Sequence, residues 1–104
     1  VDAKITMPRW TNRKGASKNL QDGFDMFADY ARLHEEIHVK IGEAAAREME
    51  RSVMALQPQK TCELLEAKAK RVIEDVQREH HKAQLAFDAA EEKRITKLLA
   101  DSSR

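Results

Sequence analysis

The clearest chemical signal in the chain is the run HEEIH at residues 34–38, which matches the pattern H-E-x-x-H. On a helix, two histidines four residues apart share one face and can bind zinc, and the intervening glutamate can act as a general base. A zinc peptidase also needs a third ligand, a substrate cleft and usually a sheet edge that holds the peptide, and the sequence indicates none of these. Ile41 occupies the position at which the longer metzincin pattern has glycine. We therefore interpret the match as a chance occurrence in a Glu-rich chain and expect no enzymatic activity.

A different use of the histidines follows if the chain folds back at Pro58. Antiparallel pairing about this proline would bring His34, His38, His80 and His81 to one level of a helical hairpin. Neutral imidazoles bind transition metals, and a layer of them can also respond to pH when the rings become charged. The adjacent His80 and His81 can equally point to water. The four histidines are our candidate metal ligands, and no organic cofactor is expected.

No nucleophilic active site is indicated elsewhere. Cys62 is the only cysteine, so no intramolecular disulfide can form, and a reducing, cytoplasmic location is the expectation. Its sequence neighbourhood supplies no base, so we expect Cys62 to be a small residue in the apolar seam between the helices. No serine lies in a nucleophile motif. There is also no run of about 18 consecutive apolar residues that would predict a membrane span. We predict no catalytic residues.

The composition predicts an all-α protein. The chain has 104 residues, 36% charged and 5% aromatic, with 3 glycines and 2 prolines, which is typical of long helices with large solvated surfaces. A single hairpin of such helices buries only a thin apolar seam. We therefore expect self-association, as a coiled-coil or four-helix-bundle dimer.

The apolar periodicity predicts two long helices within residues 19–104. Leu20, Phe24 and Phe27 begin a stripe with helical spacing that continues to Leu56. Pro58 breaks the pattern, because proline lacks the backbone N–H and clashes with the preceding turn. Either Ser17 or Asn19 can cap the first helix, and Gln57 or Thr61 can open the second. We predict an antiparallel hairpin with a break near Pro58, with a single kinked helix or a swapped dimer as alternatives.

Residues 1–18 are predicted to form a basic, largely irregular N-terminal arm. No helical period is sustained there, and the segment contains five basic residues and one acidic residue, Asp2. Such an arm can bind phosphate groups or simply keep the chain soluble. Nucleic acid is not the favoured partner, since aromatic residues do not interleave the charges. The basic residues are Lys4, Arg9, Arg13, Lys14 and Lys18.

The apolar stripes supply the candidate interaction residues. They combine the single tryptophan of the arm with large side chains on the two helices, where packing between helices or between copies of the chain would occur. The set is Trp10, Phe24, Phe27, Tyr30, Ile37, Ile41, Val72, Val76 and Phe87.

Several stretches resemble the opening helices of the F-BAR/BAR family. They are the run NLQDGFDMF at residues 19–27, the acidic stretch 33–43 and the run VQREHHKA at residues 76–83. The resemblance implies antiparallel helical dimers that bind anionic membranes through basic surfaces. Complete F-BAR domains are much longer than this chain, and residues 20–104 carry a small net negative charge that argues against a strongly basic face.

The sequence thus favours a non-enzymatic, self-associating helical scaffold or adaptor that mediates protein–protein interaction. The alternative is a peripheral membrane-binding F-BAR-like module with an anionic membrane as partner. A second alternative is a helical metal-binding protein that uses the histidine layer. A homo-oligomer and a further protein partner are the expected assemblies.

Overall fold

The computed structural model describes residues 2–102 and is helical throughout its regular parts. A 3-10 turn at Arg13–Gly15 precedes α1, Lys18–Met54, and α2, Cys62–Ser102. No β-strand occurs among residues 2–102. The prediction of an all-α hairpin built from two long helices is confirmed.

Each long helix begins at a side-chain cap. The backbone N–H of Leu20 donates a hydrogen bond to Ser17 Oγ at 3.3 Å, and that of Leu64 donates to Thr61 Oγ1 at 3.2 Å. In both cases a hydroxyl oxygen satisfies the N–H of the third helical residue, which has no partner within the helix. Of the openers that the sequence allowed, the chain uses Ser17 and Thr61.

The break between the helices falls at residues 55–61. α1 ends at Met54, and the chain leaves it through backbone bonds from Ala55 to Arg51 at 3.0 Å and from Leu56 to Val53 at 3.2 Å. Pro58 lies within the link, where its missing N–H removes no helical hydrogen bond. The sequence placed the break correctly because proline acts through local sterics alone.

The chain divides into two compact units, Val1–Lys40 and Ile41–Arg104. In the second unit, the last part of α1 lies antiparallel against α2. A Cβ added to Gly42 would lie 3.8 Å from His80 Nε2, which is an ordinary van der Waals distance. Gly42 therefore lies at a close approach of the two helices.

In the first unit, the segment before α1 folds onto the start of that helix. The ring centres of Trp10 and Phe24 are 5.1 Å apart with a tilt of 55°. Arg13 forms a two-pronged ion pair with Asp25, in which Nη2 lies 2.7 Å from Oδ2. Gln21 Nε2 donates to the Arg13 carbonyl oxygen at 2.9 Å. The segment is irregular except for its 3-10 turn, and these three contacts hold it on α1.

No described side chain is fully buried. Large apolar side chains remain open to solvent in both units, including Met26 at 75% and Met54 at 79% exposure. Exposed ion pairs three residues apart, such as Asp29 with Arg32, follow the helix surfaces. Such pairs contribute little stability. The described chain therefore presents much apolar surface that it does not cover itself.

Candidate metal centre

The H-E-x-x-H run lies in the middle of α1, inside an unbroken stretch of helix. His34 and His38 are both half-buried, whereas Glu35 is exposed. Four residues advance the chain by slightly more than one helical turn, so the two imidazoles stand one above the other on one face. The local geometry that this zinc motif needs is therefore present.

The spacing of the two imidazoles matches that of histidines sharing one metal ion. Their ring centres are 4.9 Å apart, with ring planes at 71°. Two imidazoles bound to one tetrahedral zinc at Zn–N distances of about 2.0–2.1 Å have ring centres about 5 Å apart. The pair therefore has the ring separation of two imidazoles that share one zinc ion.

Tyr30 extends the histidine face by one turn. The ring centre of Tyr30 lies 6.3 Å from that of His34, so three rings follow one another along α1 at residues 30, 34 and 38. The apolar period of α1 predicts that Tyr30 belongs to an apolar stripe. Its spacing of four residues from His34 was the available signal that it also neighbours the candidate ligands.

Glu35 meets one requirement of a general base, which is access to water. Its side chain is exposed, and so is that of the neighbouring Glu36. Arg32, three residues before Glu35, forms its ion pair with Asp29 and not with Glu35. In the H-E-x-x-H pattern, the position of Glu35 is that of the general base.

The other two candidate histidines lie in the second unit. His80 Nε2 is 2.9 Å from Gln84 Nε2 and is half-buried, while His81 is exposed. Within the described residues of that unit, neither belongs to a cluster of three potential metal ligands. The layer of four histidines stays a prediction.

The candidate interaction residues have several different environments. Trp10 and Phe24 contact each other, and Tyr30 and Phe87 are half-buried. Phe27 is 59% and Ile37 40% exposed. The remaining three, Ile41, Val72 and Val76, line a groove between α1 and α2 in the second unit.

The basic arm is less uniformly available than its composition suggests. Lys4, Arg9, Lys14 and Lys18 are exposed, whereas Arg13 is engaged with Asp25. The hydrogen bond from the guanidinium holds the pKa of Asp25 below its ordinary value and raises the pKa of Arg13. Arg13 therefore acts within the chain, as a link between the arm and α1.

Cys62 is exposed at the first position of α2, and its predicted place in an apolar seam is wrong. The apolar positions of α2 nearest to it, Leu64 and Leu65, are 49% and 40% exposed. All residues from 60 to 68 are exposed, so the start of α2 is not covered by another part of the described chain. No described helix is long and apolar enough to cross a membrane.

The fold and the site define an all-α protein whose first long helix carries a paired-histidine motif. The chain belongs to DUF922, a bacterial family of unknown function, whose family model matches residues 1–94. Searches of curated proteins and of solved structures find no match to the chain.

The resemblance to the F-BAR/BAR family is wrong, because the family model that matches the chain is a different one. The stretches behind the resemblance, at residues 19–27, 33–43 and 76–83, lie in the two long helices and combine apolar with charged residues. Any long amphipathic helix shows these features, since they follow from placing one face in a seam and the other in water.

Proposed function

We propose that this chain carries the metal-binding helix of a zinc-dependent hydrolase. His34 and His38 are the two ligands on α1, and Glu35 is the general base. The observation that carries the proposal is the 4.9 Å separation of the two imidazole centres, which equals the spacing expected for a shared zinc ion. The exposed carboxylate of Glu35 on the same turn adds the acid–base group.

The chemistry follows from the positions of these side chains. His34 and His38 would hold the metal ion on one face of α1, and the ion would supply Lewis acidity to a bound water and to a substrate carbonyl. Glu35 would act as the general base, accepting the proton released by the attacking water and returning it to the leaving group. The α1 backbone holds ligand and base in register, because residues 34–38 lie within one continuous helix.

Two substitutions separate metal binding from hydrolysis. Glu35→Gln should leave zinc affinity unchanged, because Glu35 is not a ligand, and should lower zinc-dependent hydrolysis of a fluorescent casein at least about 100-fold. Glu36→Gln is the matched control, since it removes the neighbouring exposed carboxylate and should leave the rate unchanged. A wild-type chain that binds zinc and shows no hydrolysis would contradict the hydrolase and support the non-enzymatic expectation.

A second function, a self-associating helical scaffold or adaptor, is favoured by a separate observation. No described side chain is fully buried, and Leu20, Phe27 and Leu33 of α1 are 63%, 59% and 60% exposed. Apolar surface on this scale is typical of chains that associate. Sedimentation equilibrium should show a dimer or larger species, and a monomer at high concentration would contradict self-association. Cytoplasmic localisation stays a prediction from the single cysteine.

A further inference from the structure

The second unit contains a groove that the proposed metal chemistry does not use. It has a volume of about 670 Å³ and lies between residues 41–52 of α1 and residues 72–83 of α2. Each side is therefore 12 residues long, which corresponds to about 18 Å or three helical turns. A groove of this length between two antiparallel helices has the dimensions to accept a third helix.

The floor of the groove is apolar and shallow. Ile41, Val72 and Val76 contribute branched side chains, while Ala45 and Ala83 leave room above the backbone. The residues are half-buried or exposed, and none is fully covered. An apolar stripe on a third helix would cover this floor and complete a packed three-helix arrangement.

The charged groups that line the groove all have the same sign. Glu48, Asp75 and Glu79 line it, and no lysine or arginine does. Each carboxylate forms an exposed ion pair with the basic residue three positions later on its own helix, and these residues are Arg51, Arg78 and Lys82. Exposed pairs of this kind contribute little energy, so they can be exchanged for a cation that binds in the groove. The hydrogen bond from Arg51 lowers the pKa of Glu48, which keeps that carboxylate ionised. The groove therefore combines an apolar floor with ionised carboxylates at its edge.

We infer that this acidic groove, formed by the residues named above, is the docking surface for an amphipathic helix of a partner protein. The partner helix has an apolar stripe of about three turns, flanked by lysine or arginine. Charge complementarity favours this occupant, because lysine or arginine of the partner would add attraction to carboxylates whose own exposed ion pairs are weak, whereas an acidic helix would place like charges together. The inference does not depend on zinc binding at His34 and His38.

A pair of synthetic helices tests the inference with the full-length chain. One labelled 18-residue peptide carries leucine at helical spacing with flanking lysines, and the matched peptide has glutamate at every lysine position. Fluorescence anisotropy should show the lysine peptide binding at least about tenfold more tightly at low salt, with the difference shrinking as salt is added. Equal binding of the two peptides would overturn the inference.

Substitutions then locate the binding. The triple variant Glu48→Gln, Asp75→Asn, Glu79→Gln should lose about tenfold in affinity for the lysine peptide. The control variant Glu43→Gln, Glu50→Gln, Glu74→Gln makes the same charge change at exposed positions that do not line the groove, and should bind as the unchanged chain does. Circular dichroism verifies that both variants keep their helix content.

A third variant tests the apolar floor and covers the possibility of self-docking. Ala45→Glu should abolish peptide binding, since it places a bulky charge in the groove. If both triple variants lose affinity equally, the attraction is one of overall charge and the inference fails. It also fails if sedimentation shows that a second copy of the chain fills the groove and that Ala45→Glu dissociates it.

Discussion

Replacing one histidine of the α1 pair gives the most informative perturbation. His38→Ala removes one imidazole and leaves His34 in place on the same helix face. In the proposed site both rings, with centres 4.9 Å apart, would bind a single zinc ion, so the substitution would remove a full ligand. Alanine is the best helix former, so α1 itself should persist.

The size of the effect follows from ligand count. Changing a group that only supports a metal ligand commonly costs 10–100-fold in metal affinity, and loss of the ligand itself should exceed that range. We expect zinc affinity to fall more than about 100-fold, equivalent to more than about 2.7 kcal/mol. Competition with a chromogenic chelator measures this value, and circular dichroism monitors the helix content.

His81→Ala is the matched control. His81 is exposed and lies on α2, in the second unit, so its removal should leave zinc affinity unchanged. The reasoning is refuted if the unchanged chain binds less than one zinc ion per molecule, or if His38→Ala binds zinc within about threefold of the unchanged chain. A loss in His81→Ala equal to that in His38→Ala would instead support the predicted four-histidine layer.

Three further predictions concern the stability of the fold. Arg13 lowers the pKa of Asp25, so this ion pair stabilises the docked arm above the unfolded pKa of about 4, and its contribution is lost as pH falls below that value. Trp10 fluorescence should change over that pH range, and Asp25→Asn should abolish the change. Gly42→Ala should raise the free energy of unfolding in urea by up to about 1 kcal/mol, because alanine favours the helix and its Cβ would lie at an ordinary 3.8 Å from His80 Nε2. A lower free energy of unfolding would contradict the described spacing of the two helices at Gly42. Thr61→Ala should lower stability by about 0.5–2 kcal/mol in the same assay through loss of the α2 cap, and an unchanged midpoint would show that the cap contributes nothing.

The parts of the fold set by local chemistry could be predicted from sequence. The break near Pro58 follows from proline's missing N–H. The sequence narrowed each cap to two candidate residues, and the structure shows that the chain uses Ser17 and Thr61. The two long helices follow from a period of apolar residues that continues over many turns. None of these features requires knowledge of distant contacts.

Features that depend on contacts between separate parts of the chain were harder to predict from the sequence. The sequence gives no direct sign that Arg13 pairs with Asp25, because the ion pair needs the 3-10 turn to bring the arm onto α1. The exposure of Cys62 could not be predicted, because apolar periodicity indicates which face of a helix a residue occupies. It does not indicate whether another helix packs against that face at the same position along the chain.

The H-E-x-x-H pattern locates the candidate site in the sequence but does not establish that the site binds metal. The HEEIH run identifies the residues, yet a five-residue match carries no information about ring orientation. The structure adds the ring separation between His34 and His38 and the exposure of Glu35. Side-chain geometry of this kind depends on rotamers, which the spacing of residues along a helix does not determine.

X-ray absorption spectroscopy at the zinc edge tests the central claim most directly. The zinc-loaded chain should show two imidazole ligands at about 2.0–2.1 Å, and His38→Ala should show one. A spectrum with only oxygen ligands, or with a sulfur ligand at about 2.3 Å that Cys62 would supply, would contradict zinc binding by the histidine pair of α1.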